Sequence, residues 1–397
     1  MNTTEISKND IKVLILVPHL QNVGGVSYLY NTLKINQHDT IDYFEVQGKR
    51  KIAPALRCFE ILYLYIAFLW KLPKYDVIHA NPSLDRKSFF RDSVYVCLGK
   101  LFRKKLLVYW HGWELEFEHK IRSKKVLHKY FQYTFANADM HIVLGCVFKT
   151  SLIHLGVRSN VIRIESNAAD NSYLDTGISK DREYGKDKSM LNLLFISRVE
   201  EAKGIFIAID TLKLLSMEGN FHLFIAGDGP VLADAKKRVA EENIANITFL
   251  GVVKGVEKHT LFLQSDILFF PTYYSEGMPI CIIEAMLYGL IVVSRPVGGI
   301  PDWVKNEENG CLVESRDAKH FADILKKLSS DTEKLKEMSA KNKESANKHF
   351  TPDALNKHLL GYYQQLTKIS LGSLYIWILQ NSGYLDIFLR DALLLPG

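Results

Sequence analysis

"DILFFPTYYSEGMPICIIEAMLYGLIVVS" (266–294) carries two hydrophobic rhythms. "DILFFPT" (266–272) is a continuous apolar run, too short for a helix and suited to a strand buried on both faces. From Pro279 to Gly289 the pattern is helical, with proline in the first turn and glycine at the stop. "LIVVS" (290–294) is a second buried run. Strand, helix and strand in this order make a βαβ unit, which places the two strands parallel.

The same alternation extends in both directions. Strands are expected at "IKVLILVP" (11–18), "YDVIHAN" (75–81), "KKLLVYWHG" (104–112) and "MHIVLG" (140–145). Helical patterns lie between them, including "EFEHKIRSKKVLHKYFQYTFANA" (116–138). The polar stretch 171–189 reads as a linker. The pattern then restarts with "LNLLFIS" (191–197), "FHLFIAG" (221–227), "NITFLG" (246–251), the opening unit and "GCLVE" (310–314). Two successive series predict an α/β protein of two Rossmann-like, doubly wound domains facing a cleft. The boundaries follow: 1–175, 176–350, and a C-terminal piece, 351–397. A chain of 397 residues is long enough for two such cores.

Composition excludes several classes. The five cysteines (Cys58, Cys97, Cys146, Cys281, Cys311) are scattered without a Cys-x-x-Cys, against a disulfide framework or zinc site and in keeping with a reducing cytoplasm. The first ten residues are polar, so no secretory signal peptide is expected. "ILYLYIAFLW" (61–70) falls well short of the ~20 residues of a membrane span and is expected to be a buried helix face. The first 175 residues hold 24 Lys+Arg against 16 Asp+Glu, whereas the rest is nearly balanced. A basic half beside a near-neutral half points to an anionic partner on one side. The basic residues are not interleaved with base-stacking motifs, so a nucleic-acid partner is not expected.

In doubly wound sheets ligands bind beyond the carboxyl ends of the strands, so the loops there hold the candidates. After the first strand, "HLQNVGGVS" has Gly24 and Gly25 but no G-x-G-x-x-G; it is an ordinary turn or a place where a ligand approaches backbone amides. His111 could bond a sugar hydroxyl or be a satisfied buried histidine. Arg198 and Lys203, after 191–197, suit a diphosphate or a solvated face. "AGDGP" (226–230) brings Gly227 near the cleft. Glu276 precedes the helix that starts near Pro279, whose first amides form an anion site; Glu284 lies one to two turns in, placed to accept from ribose hydroxyls. Gly298 and Gly299 stand after the next strand.

Together, "EGMPICIIEAMLYGLIVVSRPVGGIPD" (276–302), "SRVEEAKG" (197–204), "AGDGP", "NAAD" (167–170), "HG" (111–112) and "GGV" (24–26) resemble the family-4 retaining glycosyltransferases of the GT-B fold, in the family's order and across most of 11–365. The resemblance implies a second domain that binds a nucleotide-diphosphate sugar, UDP favoured, and a first domain that binds the acceptor. It implies Glu284 on the ribose, Arg198 and Lys203 on the diphosphate, and Glu276 with the Gly277 and Met278 amides near the donor sugar. The same helix entry includes Pro279 and Ile280; Gly24, Gly25 and Gly227 would lie along the donor site, and His111 near the donor sugar. Two positions depart from the pattern: Ala168 replaces a glycine and Asp302 a glutamate. The chain has no Asp-x-Asp, so no metal and no cofactor are expected.

The acceptor implied is a saccharide or lipid-linked saccharide of surface polysaccharide synthesis. "HKIRSKKVLHKY" (119–130), with cations and apolar residues interleaved, is one candidate for docking on an anionic membrane; a solvated helix is the other reading. "TPDALNKHLLGYYQQL" (351–366) resembles the helix that crosses back onto the first domain, and the apolar stretch 371–397 has no assigned role. The alternatives are a non-catalytic nucleotide-sugar sensor and a sugar-nucleotide epimerase on a similar fold.

Overall fold

The computed structural model describes residues 11–22, 24–47, 54–174, 190–216 and 220–367, with backbone alone for 54–58. Most of the linker (175–189) and the stretch 371–397 lie outside these residues.

Two six-stranded parallel sheets form the cores. The first holds β1 (Val13–Val17), β2 (Ile41–Glu45), β3 (Val77–Ala80), β4 (Lys105–Tyr109), β5 (Met140–Val143) and β6 (Ile162–Ile164), in the order β2-β1-β3-β4-β5-β6. The second holds β7 (Leu191–Ile196), β8 (Phe221–Ala226), β9 (Ile247–Gly251), β10 (Ile267–Phe270), β11 (Ile291–Ser294) and β12 (Gly310–Leu312), in the order β9-β8-β7-β10-β11-β12. β1, β3, β5, β10 and β11 are buried at every position, which is why they read as unbroken apolar runs. β2 and β6 escaped the sequence reading. β2 is an edge strand with the mixed pattern "IDYFE", and β6 has three residues, so neither shows a continuous run.

The helices relevant to the cleft are α1 (Gly25–Leu33), α2 (Pro54–Lys71), α3 (Arg86–Leu101), α4 (Leu115–Ser123), α5 (Lys125–Thr134) and α6 (Cys146–His154) in the first half. In the second half they are α7 (Ile205–Leu215), α8 (Leu232–Glu241), α9 (Gly255–Gln264) and α10 (Ile280–Leu287). The single helical pattern over 116–138 is two helices, α4 and α5, broken at Lys124, whose φ/ψ of −98°/107° is extended. Pro279 is the N-cap of α10 rather than its first residue, and the helix ends at Leu287, two residues before Gly289.

"ILYLYIAFLW" is not the buried helix face expected of it. It lies in α2, where Phe68 packs on Phe44 and Tyr95 while Phe59, Ile61, Leu62, Tyr63, Ile66 and Trp70 stand in solvent. Among the described residues no helix is long and apolar enough to cross a membrane. Residues 352–367 form a helix lying on the first sheet's domain. Asn356 Nδ2 donates to the Leu33 carbonyl at 2.9 Å, and Tyr363 Oη meets His79 Nδ1 at 2.7 Å.

Candidate active site

In the second sheet the strand order reverses between β7 and β10, the two strands whose following loops carry Arg198, Lys203 and Glu276. A reversal of this kind opens a crevice at the strand ends. Lys203 ends a one-turn 3-10 segment, Glu201–Lys203. Gly204 follows at φ +86°, and a Cβ there would come within 2.3 Å of the Pro271 carbonyl oxygen, so only glycine lets this turn press against the end of β10. The turn delivers Lys203 Nζ to Glu276 Oε1 at 2.7 Å, and Thr272 Oγ1 donates to the same oxygen at 3.1 Å. Both charged side chains are buried. Lys203 also lies over the Tyr274 ring, 4.2 Å from its centroid.

Arg198 does not join this pair. It is exposed and bonds Glu200 at 2.8 Å. The Gly277 and Met278 amides donate to no atom of the described residues, and they lead into α10, where Pro279 supplies no side-chain cap. This leaves unpaired backbone donors at the entry of the helix. Gly298, at φ +59°, holds the loop shape: a Cβ would come within 1.7 Å of the Glu276 carbonyl oxygen. Gly227 is equally constrained, at φ +138°: a Cβ would come within 1.9 Å of the Ser197 carbonyl oxygen, and its amide donates to the Gly251 carbonyl at 2.6 Å, so it serves close backbone packing and offers no free donor.

Glu284 sits in the second turn of α10, buried. Two partners invisible in the sequence meet its Oε1. Lys258 of α9 donates at 2.6 Å, and Tyr28 of α1 donates across the cleft at 3.0 Å. Tyr28 Oη in turn accepts from the Asp170 amide at 3.3 Å. Burial and the nearby Glu284 charge push the Tyr28 phenol far above its usual range, so it acts as a donor throughout.

On the facing side, the His111 ring packs on Tyr109 with centroids 4.1 Å apart, and its Nε2 bonds Asn81 Oδ1 at 2.8 Å. Tyr30 donates to the same Asn81 oxygen at 2.7 Å, and Asn81 Nδ2 donates to the Leu16 carbonyl. Since Asn81 Oδ1 can only accept, Nε2 carries the proton of a neutral imidazole. Burial pulls the His111 pKa down to about 3, and bonding to Asn167 offsets only part of this. His141 is lowered to about 3 by burial and by Lys100, and His79 is lowered as well. Between pH 6.5 and 3 the unfolded chain therefore takes up protons that the folded chain refuses. Stability should fall as pH drops below 6.5, by about 1.4 kcal/mol per pH unit for each such histidine. Urea unfolding at pH 7.5 and 5.5 measures it, and His141→Gln should flatten the dependence by about one proton.

Gly24 and Gly25 do not form a tight turn. Gly24 is extended at φ 177°, Gly25 opens α1, and a Cβ at either would meet nothing within 4 Å. Beside them, at the ends of β1 and β3 and the start of α3, a cavity of about 220 Å³ is lined by Asn81, Ser83, Asp85, Lys87 and Gln47, among others. Asn81 thus connects the cavity to His111. This volume is below the ~300–1,000 Å³ of sites for drug-sized ligands and suits a small polar unit.

The halves meet closely. Asn167 Nδ2 donates to the Met278 carbonyl at 2.9 Å, and Ala168 beside it is buried without a left-handed backbone. A Cβ on Gly277 would come within 2.5 Å of Leu144 and 3.5 Å of the His111 carbonyl oxygen. Asp302 Oδ2 accepts from the Cys146 amide at 2.8 Å, capping α6 from the opposite domain. The structure therefore brings His111, Glu276, Gly277, Met278 and Lys203 together where the halves meet, and puts Glu284 in the second turn of α10 against Tyr28 of the first half.

Residues 178–345 match the family model described as "Glycosyl transferases group 1". The chain is 26% identical over 237 residues to the amylovoran biosynthesis glycosyltransferase AmsK of Erwinia amylovora, a stretch that is 58% of this chain and 56% of that relative. The chain thus matches little more than half of that protein's length. Among solved structures, Anabaena Alr3699/HepE in complex with UDP and glucose superposes with a TM-score of 0.67 at 16% identity, over 89% of this chain and 100% of that one. A glycosyltransferase from Rickettsia africae superposes with a TM-score of 0.71 at 18% identity, over 91% and 99%. The architecture is the two-domain GT-B fold.

Proposed function

We propose that the protein is a retaining, metal- and cofactor-independent group 1 glycosyltransferase. It moves a sugar from a nucleotide-diphosphate sugar, UDP first among the bases, to a hydroxyl of a saccharide or lipid-linked saccharide in surface polysaccharide synthesis at the cytoplasmic face of the membrane. The observation that carries the reading is the pair of buried carboxylates before and within one helix at the sheet's switch point, each held by a lysine. Glu284 is set for the ribose, Glu276 with Lys203 for the sugar–phosphate end, and uncapped amides lie between them. The family match over 178–345 and the UDP in a structural neighbour support it.

The chemistry needs no resident group beyond these. The bond from the anomeric carbon to the diphosphate breaks and its electron pair stays on the phosphate oxygen. Lys203, Arg198 and the α10 amides stabilise that charge. The acceptor oxygen bonds the anomeric carbon from the same face and its proton passes to the departing phosphate oxygen. Neutral His111, a donor through Nε2, exchanges Asn81 for a donor-sugar hydroxyl. Glu276 holds a sugar hydroxyl through its second oxygen; its first is committed to Lys203 and Thr272, which argues against a role as covalent nucleophile. The acceptor hydroxyl enters from the cavity beside Asn81.

The test is thermal unfolding with UDP, GDP and ADP, followed by slow hydrolysis of the corresponding nucleotide sugar. One nucleotide should stabilise the chain, by about 2.7 kcal/mol at a hundredfold excess over Kd. Hydrolysis without acceptor should then be measurable. Stabilisation without any hydrolysis makes the protein a nucleotide-sugar sensor, and interconversion of the sugar without transfer makes it an epimerase.

A further inference from the structure

The exposed face of α2 has no partner among the described residues. Phe59, Leu62, Tyr63, Ile66 and Trp70 recur at helical spacing and form one stripe, with Trp70 81% and Phe59 71% exposed. The opposite side is anchored by Phe68 and Leu72, both fully buried. Scattered apolar side chains on a surface need no explanation, but a continuous stripe on one helix does.

Cations gather at the C-terminal end of this stripe. Lys71 and Lys74 follow Trp70, both exposed. Lys104 Nζ donates to the Pro73 carbonyl at 3.3 Å, which brings the turn after α3 against the same end. That turn adds exposed Leu101, Phe102 and Arg103. Asp76, two residues past Lys74, accepts from the Lys12 amide at 2.9 Å.

We infer that α2 and the turn at 101–104 form the surface by which the protein lies on an anionic lipid bilayer. The α2 stripe enters the acyl boundary, and Lys71, Lys74, Arg103 and Lys104 meet headgroup phosphates. Charge complementarity selects this occupant. A second copy would set the same four cations near their own images, which repels. The segment 119–130, also basic, presents mainly charge: of its apolar side chains only Val126 is fully exposed, while Ile121 is buried. It acts as a secondary electrostatic contact. This inference deepens the lipid-linked acceptor reading and leaves the donor reading independent of it.

The experiment is flotation of the full-length chain with vesicles of phosphatidylcholine alone or with about a third phosphatidylglycerol. The wild type should float with the anionic vesicles, and at least tenfold less in 0.5 M salt. Leu62→Glu/Ile66→Glu and, separately, Lys71→Glu/Arg103→Glu should each lower binding at least tenfold, with the melting temperature and nucleotide-induced stabilisation unchanged. Brominated acyl chains should quench the wild type more than Trp70→Phe. The inference fails if the full chain ignores anionic vesicles, or if the α2 variants bind as wild type. It also fails if the wild type is a dimer that Leu62→Glu/Ile66→Glu dissolves, or if only a chain ending at Thr367 binds, which would give the face to the chain's own tail. Lost vesicle binding with nucleotide binding intact removes this inference alone; the reverse removes the transferase reading.

Discussion

Glu284→Ala should remove half or more of the nucleotide-induced stabilisation seen at a hundredfold excess over Kd, and Tyr28→Phe should enlarge it. The Glu284 carboxylate is buried and already accepts from Lys258 and Tyr28 through one oxygen. A ribose diol that engages both carboxylate oxygens competes with these donors at Oε1. Hydrogen bonds to a charged group contribute about 1.5–3 kcal/mol each, so losing the carboxylate should weaken nucleotide binding between tenfold and more than a hundredfold. Removing the Tyr28 hydroxyl frees an acceptor site at no cost to the ribose contact and should tighten binding several-fold. Because Tyr28 belongs to α1 and Glu284 to α10, its loss also removes one bond between the two halves. Calorimetric titration of both variants with UDP separates the two effects. Equal weakening by both would mean that Tyr28 itself touches the nucleotide.

Lys203→Ala should be the most destabilising single change in the site. It strands the Glu276 carboxylate, which is 8% exposed, with only the Thr272 hydroxyl as partner. Removing one member of a buried ion pair typically lowers stability by about 3–5 kcal/mol, because the remaining charge loses its compensation in a poorly polarisable surrounding. The double variant Lys203→Met/Glu276→Gln carries no such orphan and should lose less than the sum of the single variants. Urea unfolding of wild type, Lys203→Ala, Lys203→Met, Glu276→Gln and the double variant completes the cycle. Catalysis should fall in all of them, since the double variant restores packing but not the charge beside the departing phosphate. An additive double variant would mean that the pair is not energetically coupled. Full activity in it would place the chemistry elsewhere.

Much of the fold was written in local pattern. Ten of the twelve main strands coincide with short apolar runs in the sequence, and five of them are buried at every position, so such runs stand out without knowledge of their neighbours. The two that did not stand out, β2 and β6, carry polar side chains within the strand, "IDYFE" and "IRI", so no continuous apolar run marks them. The candidate positions were legible for the same reason: ligand loops follow strand ends, so Arg198, Lys203, Glu276, Glu284 and His111 could be marked from strand positions alone.

The pairings were not legible, because they join residues far apart in the chain. Lys203 and Arg198 read as two equivalent cations five positions apart. Folding buries one against Glu276, 73 positions away, and leaves the other in solvent. Tyr28 is 256 positions from Glu284, and Asp302 is 156 from Cys146. α2 shows the converse error: an apolar run says which side chains avoid water, but whether anything covers them depends on what the rest of the chain brings to that face. By itself the sequence determined the strand and helix order, the two-sheet architecture and the loops where chemistry could reside, since these follow from the period of burial along the backbone. Tertiary structure alone decided which charges are neutralised, which donors remain free and which apolar face stays bare, since desolvation and hydrogen bonding depend on neighbours in space rather than in sequence.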